Sequence, residues 1–238
     1  FSDIRSFTTL SESMSPKENF NFINSYLKKM SPIIHEHDGF IDKFIGDAIM
    51  ALFPDPTADN AIYAAISMLK ILREYNLHRN NSGFKPIEIG IGINTGNLML
   101  GTIGSLDRME GTVISDSVNM ASRMEGLTKK YGASLLIAED SFKTIVDISK
   151  FATRPVDRVI VKGKSQPVWV YEVFNADSEE LLALKLQTKD LFCEAVNLFQ
   201  EEKWKKAQEK FIEVYKVSPL DKITQYYLES CKEKISTK

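Results

Sequence analysis

The sequence reads as an α+β fold: a ferredoxin-like βαββαβ core, in which a mostly antiparallel sheet carries helices, followed by an α-helical hairpin. Three features point there. Two long stretches with apolar residues at helical spacing alternate with short apolar runs of strand length. The pair Gly46-Asp47 joins two of those runs as a hairpin turn. Beyond Asn175-Ala176 the pattern becomes helical throughout. The expected units are residues 1–175 and residues 178–238.

Taken in order, Phe1 to Ile4 reads as the closing residues of a strand, with the start of that strand expected upstream. Ser15-Pro16 is a cap followed by proline at the first helical position, and Phe20, Ile23, Leu27, Met30 and Ile34 then recur at helical spacing as far as Asp38-Gly39. Phe40 to Ile45 and Ala48 to Phe53 form the hairpin around Gly46-Asp47. Ala58 to Arg79 is a second helix with Ile62, Ala65, Ile66, Leu69 and Leu72 on its core face. Ile87 to Asn94 is a buried strand, Leu98 to Ile103 another, Val113-Ile114 a short one, Ser117 to Lys130 a helix and Leu135 to Ala138 a strand. A further strand pair is expected between Val159 and Phe174, with Lys162-Gly163-Lys164 at its turn. Helices are expected on one face of the sheet, leaving the other for a ligand or partner. From Ser178 to Ile235, Phe192, Ala195, Phe199, Trp204, Ala207, Phe211, Tyr215 and Pro219 resemble one tetratricopeptide-type hairpin plus flanking helices, expected to pack on the first unit or on a second chain because a lone repeat cannot bury both faces; a simple helical tail fits the pattern equally well.

Composition narrows the function. With 238 residues, 43% hydrophobic and 26% charged, and a net charge of −2, the chain can bury a core but lacks the concentrated basic surface of a nucleic-acid reader. Cys193 and Cys231 lack the spacing of a zinc site or disulfide framework and read as reduced thiols of a cytoplasmic protein. No run has the length of a membrane span, so any anchor or sensor is expected upstream of Phe1.

The chemistry sits in four places. Asp3 ends a hydrophobic strand and Asp47 occupies the hairpin turn; two such carboxylates converging on an open edge suit Mg²⁺, which takes hard oxygen ligands and leaves positions for phosphate oxygens. Each alone fits an ordinary turn or cap residue equally well. Asn119 and Arg123 are four apart on one helix face, with Val118, Ala121 and Met124 turned to the core, and an arginine aimed into a cleft neutralises charge on a reacting phosphate. Lys43 and Lys162 read either as phosphate- or base-binding cations or as surface lysines.

Phe1-Ser2-Asp3-Ile4-Arg5-Ser6-Phe7-Thr8, Asp42-Lys43-Phe44-Ile45-Gly46-Asp47-Ala48, the run from Thr112 to Arg123, and Val161-Lys162-Gly163-Lys164 together resemble the class III nucleotidyl cyclases over residues 1 to 174. The resemblance implies that Asp3, Asp47 and the main-chain carbonyl of Ile4 hold two Mg²⁺ or Mn²⁺ ions, and that Phe7 and Thr8 lie in the segment cradling the phosphates. It implies that Lys43 and Thr112 read the adenine ring, where guanylyl cyclases typically place Glu and Cys. By the same resemblance Asn119 orients the ribose, Arg123 stabilises the α-phosphate transition state and Lys162 grips the terminal phosphates. The implied activity is conversion of ATP to cyclic AMP and pyrophosphate in a homodimer whose two sites are each shared between chains.

Three positions depart from the family pattern. Ser115 stands where glycine is usual in the turn before the helix, with relaxed turn geometry as the expected consequence; Gly111 replaces an aromatic residue or His; and Asn97 stands where some animal cyclases have arginine. Against the competing readings, Lys43 and Thr112 oppose a guanylyl cyclase. Ile45-Gly46-Asp47 is not the diguanylate cyclase signature, the polar positions of a merely regulatory domain would not all be filled, and an RNA-binding sheet would display aromatic and basic residues.

Overall fold

The computed structural model describes residues 1–105, 108–160 and 167–237, and side chains other than those of 103–112 and 114. In chain order, β1 (Ser2–Ile4) leads through α1 (Phe7–Glu12) and α2 (Pro16–Glu36) to a hairpin of β2 (Phe40–Ile45) and β3 (Ala48–Leu52). Then come α3 (Asp59–Asn81), β4 (Ile89–Ile93), a second hairpin of β5 (Met99–Ser105) and β6 (Arg108–Ile114), α4 (Asp116–Tyr131), β7 (Leu135–Ala138) and α5 (Glu139–Lys143). The strands β8 (Thr153–Val159) and β9 (Val168–Val173) precede three helices, α6 (Glu179–Gln200), α7 (Trp204–Val217) and α8 (Lys222–Ser236).

The main sheet has seven strands in the order β2-β3-β1-β4-β7-β9-β8, and β5 pairs with β6 as a separate ribbon. Its first four positions are the expected βαββαβ unit, with β1 central and antiparallel to both β3 and β4. The sheet then continues through β7, parallel to β4, to the antiparallel pair β9 and β8.

Local chemistry explains the helices. At the start of α2, Ser15 and Glu18 form a reciprocal capping box and Pro16 occupies the first turn. The buried stripe of α2 is Phe22, Tyr26, Met30, Ile33 and Ile34, with Ile23 and Leu27 half-buried, so the helix is rotated from the expected face and Phe20 is 70% exposed. The bulky pair Phe22 and Tyr26 sits four apart and takes the core in its place. The face expected for α3 is the one that is buried.

Two cores flank the sheet. Between the sheet and the helices α2 and α3, Ile62 and Leu69 of α3 pack with Ile4, Ile49, Ile89 and Ile91 of the strands. The opposite face is not left open as expected: α4 and α6–α8 cover its β4-to-β8 half, with Met120, Met124 and Tyr131 meeting Leu136, Val156, Val170, Phe192, Phe211 and Tyr227. The strand β7 shows why, since Leu135 and Ile137 enter the first core and Leu136 and Ala138 the second. Each fully buried aromatic of the hairpin contributes about 1.5–3 kcal/mol, enough to fix α6–α8 on the first unit.

The strand β8 begins at Thr153, earlier than expected, because the sequence Thr-Arg-Pro-Val-Asp-Arg-Val hides an edge strand: Arg154 is buried by ion pairing and Pro155 sits at a register shift. In the same way β6 extends through Arg108, Glu110 and Gly111, residues that interrupt the apolar pattern. The expected Lys162-Gly163-Lys164 turn lies outside the described residues.

Helix α4 sits directly on β4 because Gly90 and Gly92 lack side chains. A Cβ at Gly92 would come within 2.0 Å of the Glu125 amide nitrogen and 2.4 Å of the Ala121 carbonyl oxygen. Backbone cannot give way there, so Gly92→Ala is expected to lower the melting temperature by roughly 4–8 °C. An unchanged melt would show that this contact does not seat α4.

Candidate active site

Ser2 and Ile4 are buried while Asp3 between them is half-exposed, and Asp3 lies opposite Gly90 on the face occupied by α4. The β2–β3 turn supplies the second carboxylate. Ile45 pairs with Ala48, closing a two-residue turn in which Gly46 adopts φ +64°, a conformation that costs an L-residue about 1–2 kcal/mol. Asp47 Oδ2 accepts the Ile4 amide at 3.1 Å, and the Asp3 and Asp47 carboxyl groups lie within hydrogen-bonding reach of each other. Burial, together with the hydrogen bond and negative charge of Asp3, pushes the Asp47 carboxyl up to about 7, against the opposing pull of the Ile4 amide.

The backbone of β1 completes the oxygen set. Phe1 and Arg5 hydrogen-bond toward β4, at 2.9 Å to Gly92 and 2.9 Å to Glu88, so the alternate residue Ile4 turns its main chain to the Asp47 side. Two crowded carboxylates and a neighbouring carbonyl are hard donors that repel one another, and a small divalent cation would relieve the repulsion. The residues present therefore fit Mg²⁺ or Mn²⁺.

Strand β2 carries a register shift between Ile41 and Lys43, and Lys43 Nζ lies 3.3 Å from Asp42 Oδ2. The bulge places charge beside charge, and Asp42 steadies the lysine. Phe7 opens α1 just after Ser6, which takes the left-handed region at φ 54°, and its ring stacks on Phe22 with centroids 6.3 Å apart. Thr8 next to it is exposed.

Asn119 and Arg123 lie exposed on the outer side of α4, while Met120 and Met124 are buried beneath. Ser115 caps the helix: its Oγ accepts the Ser117 amide at 3.0 Å and donates to the Asn97 carbonyl at 2.6 Å. Its φ of −171° is extended backbone open to any residue, so serine here organises the turn where relaxed geometry was expected. The main chain of Thr112 lies on β6 opposite Gly101, its side chain falls outside the described residues, and so does Lys162. Among the described residues no hydrogen bond or ion pair joins Asn119 or Arg123 to Asp3 or Asp47. The chain carries both pairs of polar groups but, among the described residues, does not bring them into contact.

Glu125 is a group the motifs do not single out. It lies two residues past Arg123 on the sheet side of α4, near Gly90, and burial followed by the charge of Asp3 pushes its carboxyl up, offset by the Phe1 amine and Arg5. A large apolar cavity of about 610 Å³ lies between β3, β4 and α3, lined by residues such as Phe1, Ala51, Phe53, Met68 and Ile93. Neither Asp3 nor Asp47 lines it.

Residues 1–174 match the adenylate and guanylate cyclase catalytic domain family. The chain belongs to that family. An adenylate cyclase of Anabaena cylindrica is 46% identical over 178 residues, 73% of this chain and 36% of the relative's own length. A terminal-differentiation-specific adenylate cyclase of Dictyostelium discoideum is 39% identical over 244 residues, a match that takes in 100% of this chain, helical hairpin included, and 11% of that protein. The cyclase domain thus spans well under half of either relative. Among solved structures, the adenylyl cyclase CyaB of P. aeruginosa shares 34% identity at a TM-score of 0.56, covering 72% of this chain and 90% of that one. The guanylyl cyclase Cya2 shares 35% at a TM-score of 0.62, covering 72% and 88%. The sheet and helices of this cyclase domain are those of the family, which generally uses divalent metal ions.

Proposed function

We propose that this domain converts ATP to 3′,5′-cyclic AMP and pyrophosphate, as a homodimer with two shared sites. The observation that carries the reading is the Asp3–Asp47 pair, two acidic groups forced together by the Ile4 amide and the Gly46 turn where the β2–β3 hairpin meets β1. Such a pair is costly unless it binds a cation. Asp3, Asp47 and the Ile4 carbonyl would hold two divalent ions, which when bound would supply acidity to the ribose 3′-hydroxyl and charge for the triphosphate. The 3′-oxygen loses its proton to solvent and bonds to the α-phosphorus as the bond from that phosphorus to the bridging oxygen breaks, releasing pyrophosphate.

The protein's part is placement. Phe7 and Thr8 follow β1 directly and frame the phosphates. Asn119 orients the ribose, Arg123 offsets charge on the α-phosphate, Lys162 holds the terminal phosphates, and Lys43 with Thr112 reads the base. Lys43 donates to the unprotonated N1 of adenine, whereas N1 of guanine carries a hydrogen. Because the similar structures include both adenylyl and guanylyl cyclases, base choice rests on this pair. In the variant Lys43→Glu with Thr112→Cys, the ratio of cyclic AMP to cyclic GMP formed from equal ATP and GTP is expected to fall at least about tenfold. An unchanged ratio would remove these residues from base recognition.

Apolar side chains around the two sets favour a second copy: Phe44 and Ile45 beside the turn are 48% and 52% exposed, and Met99 and Leu100 on the β5–β6 ribbon 74% and 58%. The test is complementation. Asp47→Ala and Arg123→Ala are each expected to be inactive, and mixing them should restore about a quarter of the original activity, since half the dimers then hold one intact site of two. A mixture of dimeric variants that stays silent would refute the shared site. Among the described residues no helix is long and apolar enough to cross a membrane. We assign the domain to the cytoplasm, with any sensor or anchor elsewhere in the protein, and retain the likeness of α6–α8 to a tetratricopeptide unit as part of this proposal.

A further inference from the structure

Helix α4 is gripped on two sides. Its middle rests on the glycine floor of β4, where Gly92 meets the backbone at Ala121 and Glu125. Its last turn is held by the helical hairpin. The ring of Tyr131 meets Tyr226 of α8 edge-on at 5.0 Å, and Lys130 Nζ lies 5.3 Å from the centre of the same Tyr226 ring. At the end of α4 Gly132 takes φ +70°, and the stem of Lys222 packs so closely that a Cβ on Gly132 would lie 2.7 Å from it. The Tyr131 hydroxyl donates to Asp157 of β8, whose other oxygen accepts from Gln200 at the end of α6 at 2.7 Å.

Asn119 and Arg123 project from this same helix. Arg123 is eight residues before Tyr131, about 12 Å along a rigid rod, so a tilt at the C-terminal end is carried to the guanidinium. Phe192, Phe211 and Tyr227 stack on one another across α6, α7 and α8, and the hairpin is tied to β8 without α4 by the Arg154 guanidinium donating to Asp221 at 2.7 Å and the Tyr227 hydroxyl donating to the Val156 carbonyl, which gives it a fixed base from which to hold the helix.

We propose that Tyr226 on α8, with Asp157, is a positioning device for the reaction: the helical hairpin clamps the C-terminal turn of α4 and thereby sets where Asn119 and Arg123 stand against the nucleotide. This rests on the roles given to Asn119 and Arg123 above. The hairpin is then a working part of the catalytic domain, and its loosening lowers turnover and leaves nucleotide affinity alone.

Tyr226→Ala, Tyr226→Phe, Tyr131→Phe and Arg123→Ala are compared in the intact protein for kcat, KM for ATP, and hydrogen exchange of the amides of residues 116–131. Tyr226→Ala is expected to lower kcat at least about tenfold with KM within about twofold, and to speed exchange in α4. Tyr226→Phe keeps the ring and should restore both. Tyr131→Phe, which removes only a hydroxyl, should shift kcat in the same direction and decides the matter if Tyr226→Ala does not fold. A folded Tyr226→Ala protein with unchanged kcat and a silent Arg123→Ala overturns the clamp and leaves the site reading intact. An active Arg123→Ala protein overturns the site reading, and the clamp then stands or falls on whether α4 exchange rises in Tyr226→Ala.

Discussion

Asp47→Ala is expected to reduce cyclic AMP formation by about a thousandfold, some 4 kcal/mol in the barrier, without unfolding the domain. The carboxylate sits in a solvent-reachable turn whose geometry belongs to Gly46 and to the Ile45–Ala48 pair, not to Asp47. Its bond from the Ile4 amide is replaceable by water, and removing the carboxyl relieves both the burial and the crowding against Asp3 that together push Asp47 up to about 7. The fold should therefore tolerate the change while the cation site is lost. Thermal melts separate the two: Mn²⁺ at about 100 times its dissociation constant should stabilise the original protein by about 2.7 kcal/mol and leave Asp47→Ala unmoved. Equal stabilisation of both would place the cation elsewhere.

Arg154→Ala is expected to cost about 3–5 kcal/mol, the largest stability loss of any single change considered. Arg154 on β8 is 1% exposed; its Nε donates to Glu172 at 2.7 Å, and its two terminal nitrogens donate to Asp221, at the start of α8, at 2.7 Å each. Lys185 of α6 completes the group through Glu172 at 2.8 Å and Asp177 at 2.6 Å. Without the guanidinium, Asp221 and Glu172 stay buried beside one lysine, and α8 loses its ion pair to β8.

The same group predicts a pH dependence. Burial alone would raise the Asp221 carboxyl, but the charge and hydrogen bonds of Arg154 outweigh it and hold it below the ordinary value of 3.8. A depressed carboxyl stabilises the fold above its unfolded value and loses that contribution as pH falls through the folded one. The melting temperature of the original protein should exceed that of Asp221→Asn at neutral pH, and the gap should close only below about pH 4. A gap that closes near pH 6 would mean that Asp221 is not the group responsible.

The sequence by itself determined the βαββαβ core and the hairpin turn, and it supplied the residues proposed for the site. These are local or periodic properties: a Ser15 cap, glycine at a left-handed turn, apolar residues every third or fourth place, acids at strand ends. What it left undecided depended on partners far along the chain. Arg154 and Pro155 look unlike a strand until Glu172 and Asp221 neutralise the one and a register shift admits the other. Glu125 and Asp42 carry no signature because their meaning lies in nearness to Asp3 and Lys43. The buried face of α2 turned because Phe22 and Tyr26 outcompete Phe20 for the same core. The second face of the sheet, half closed by α4 and α6–α8, was settled only by tertiary packing, since a helical hairpin's periodicity marks which side it buries but not what it is buried against.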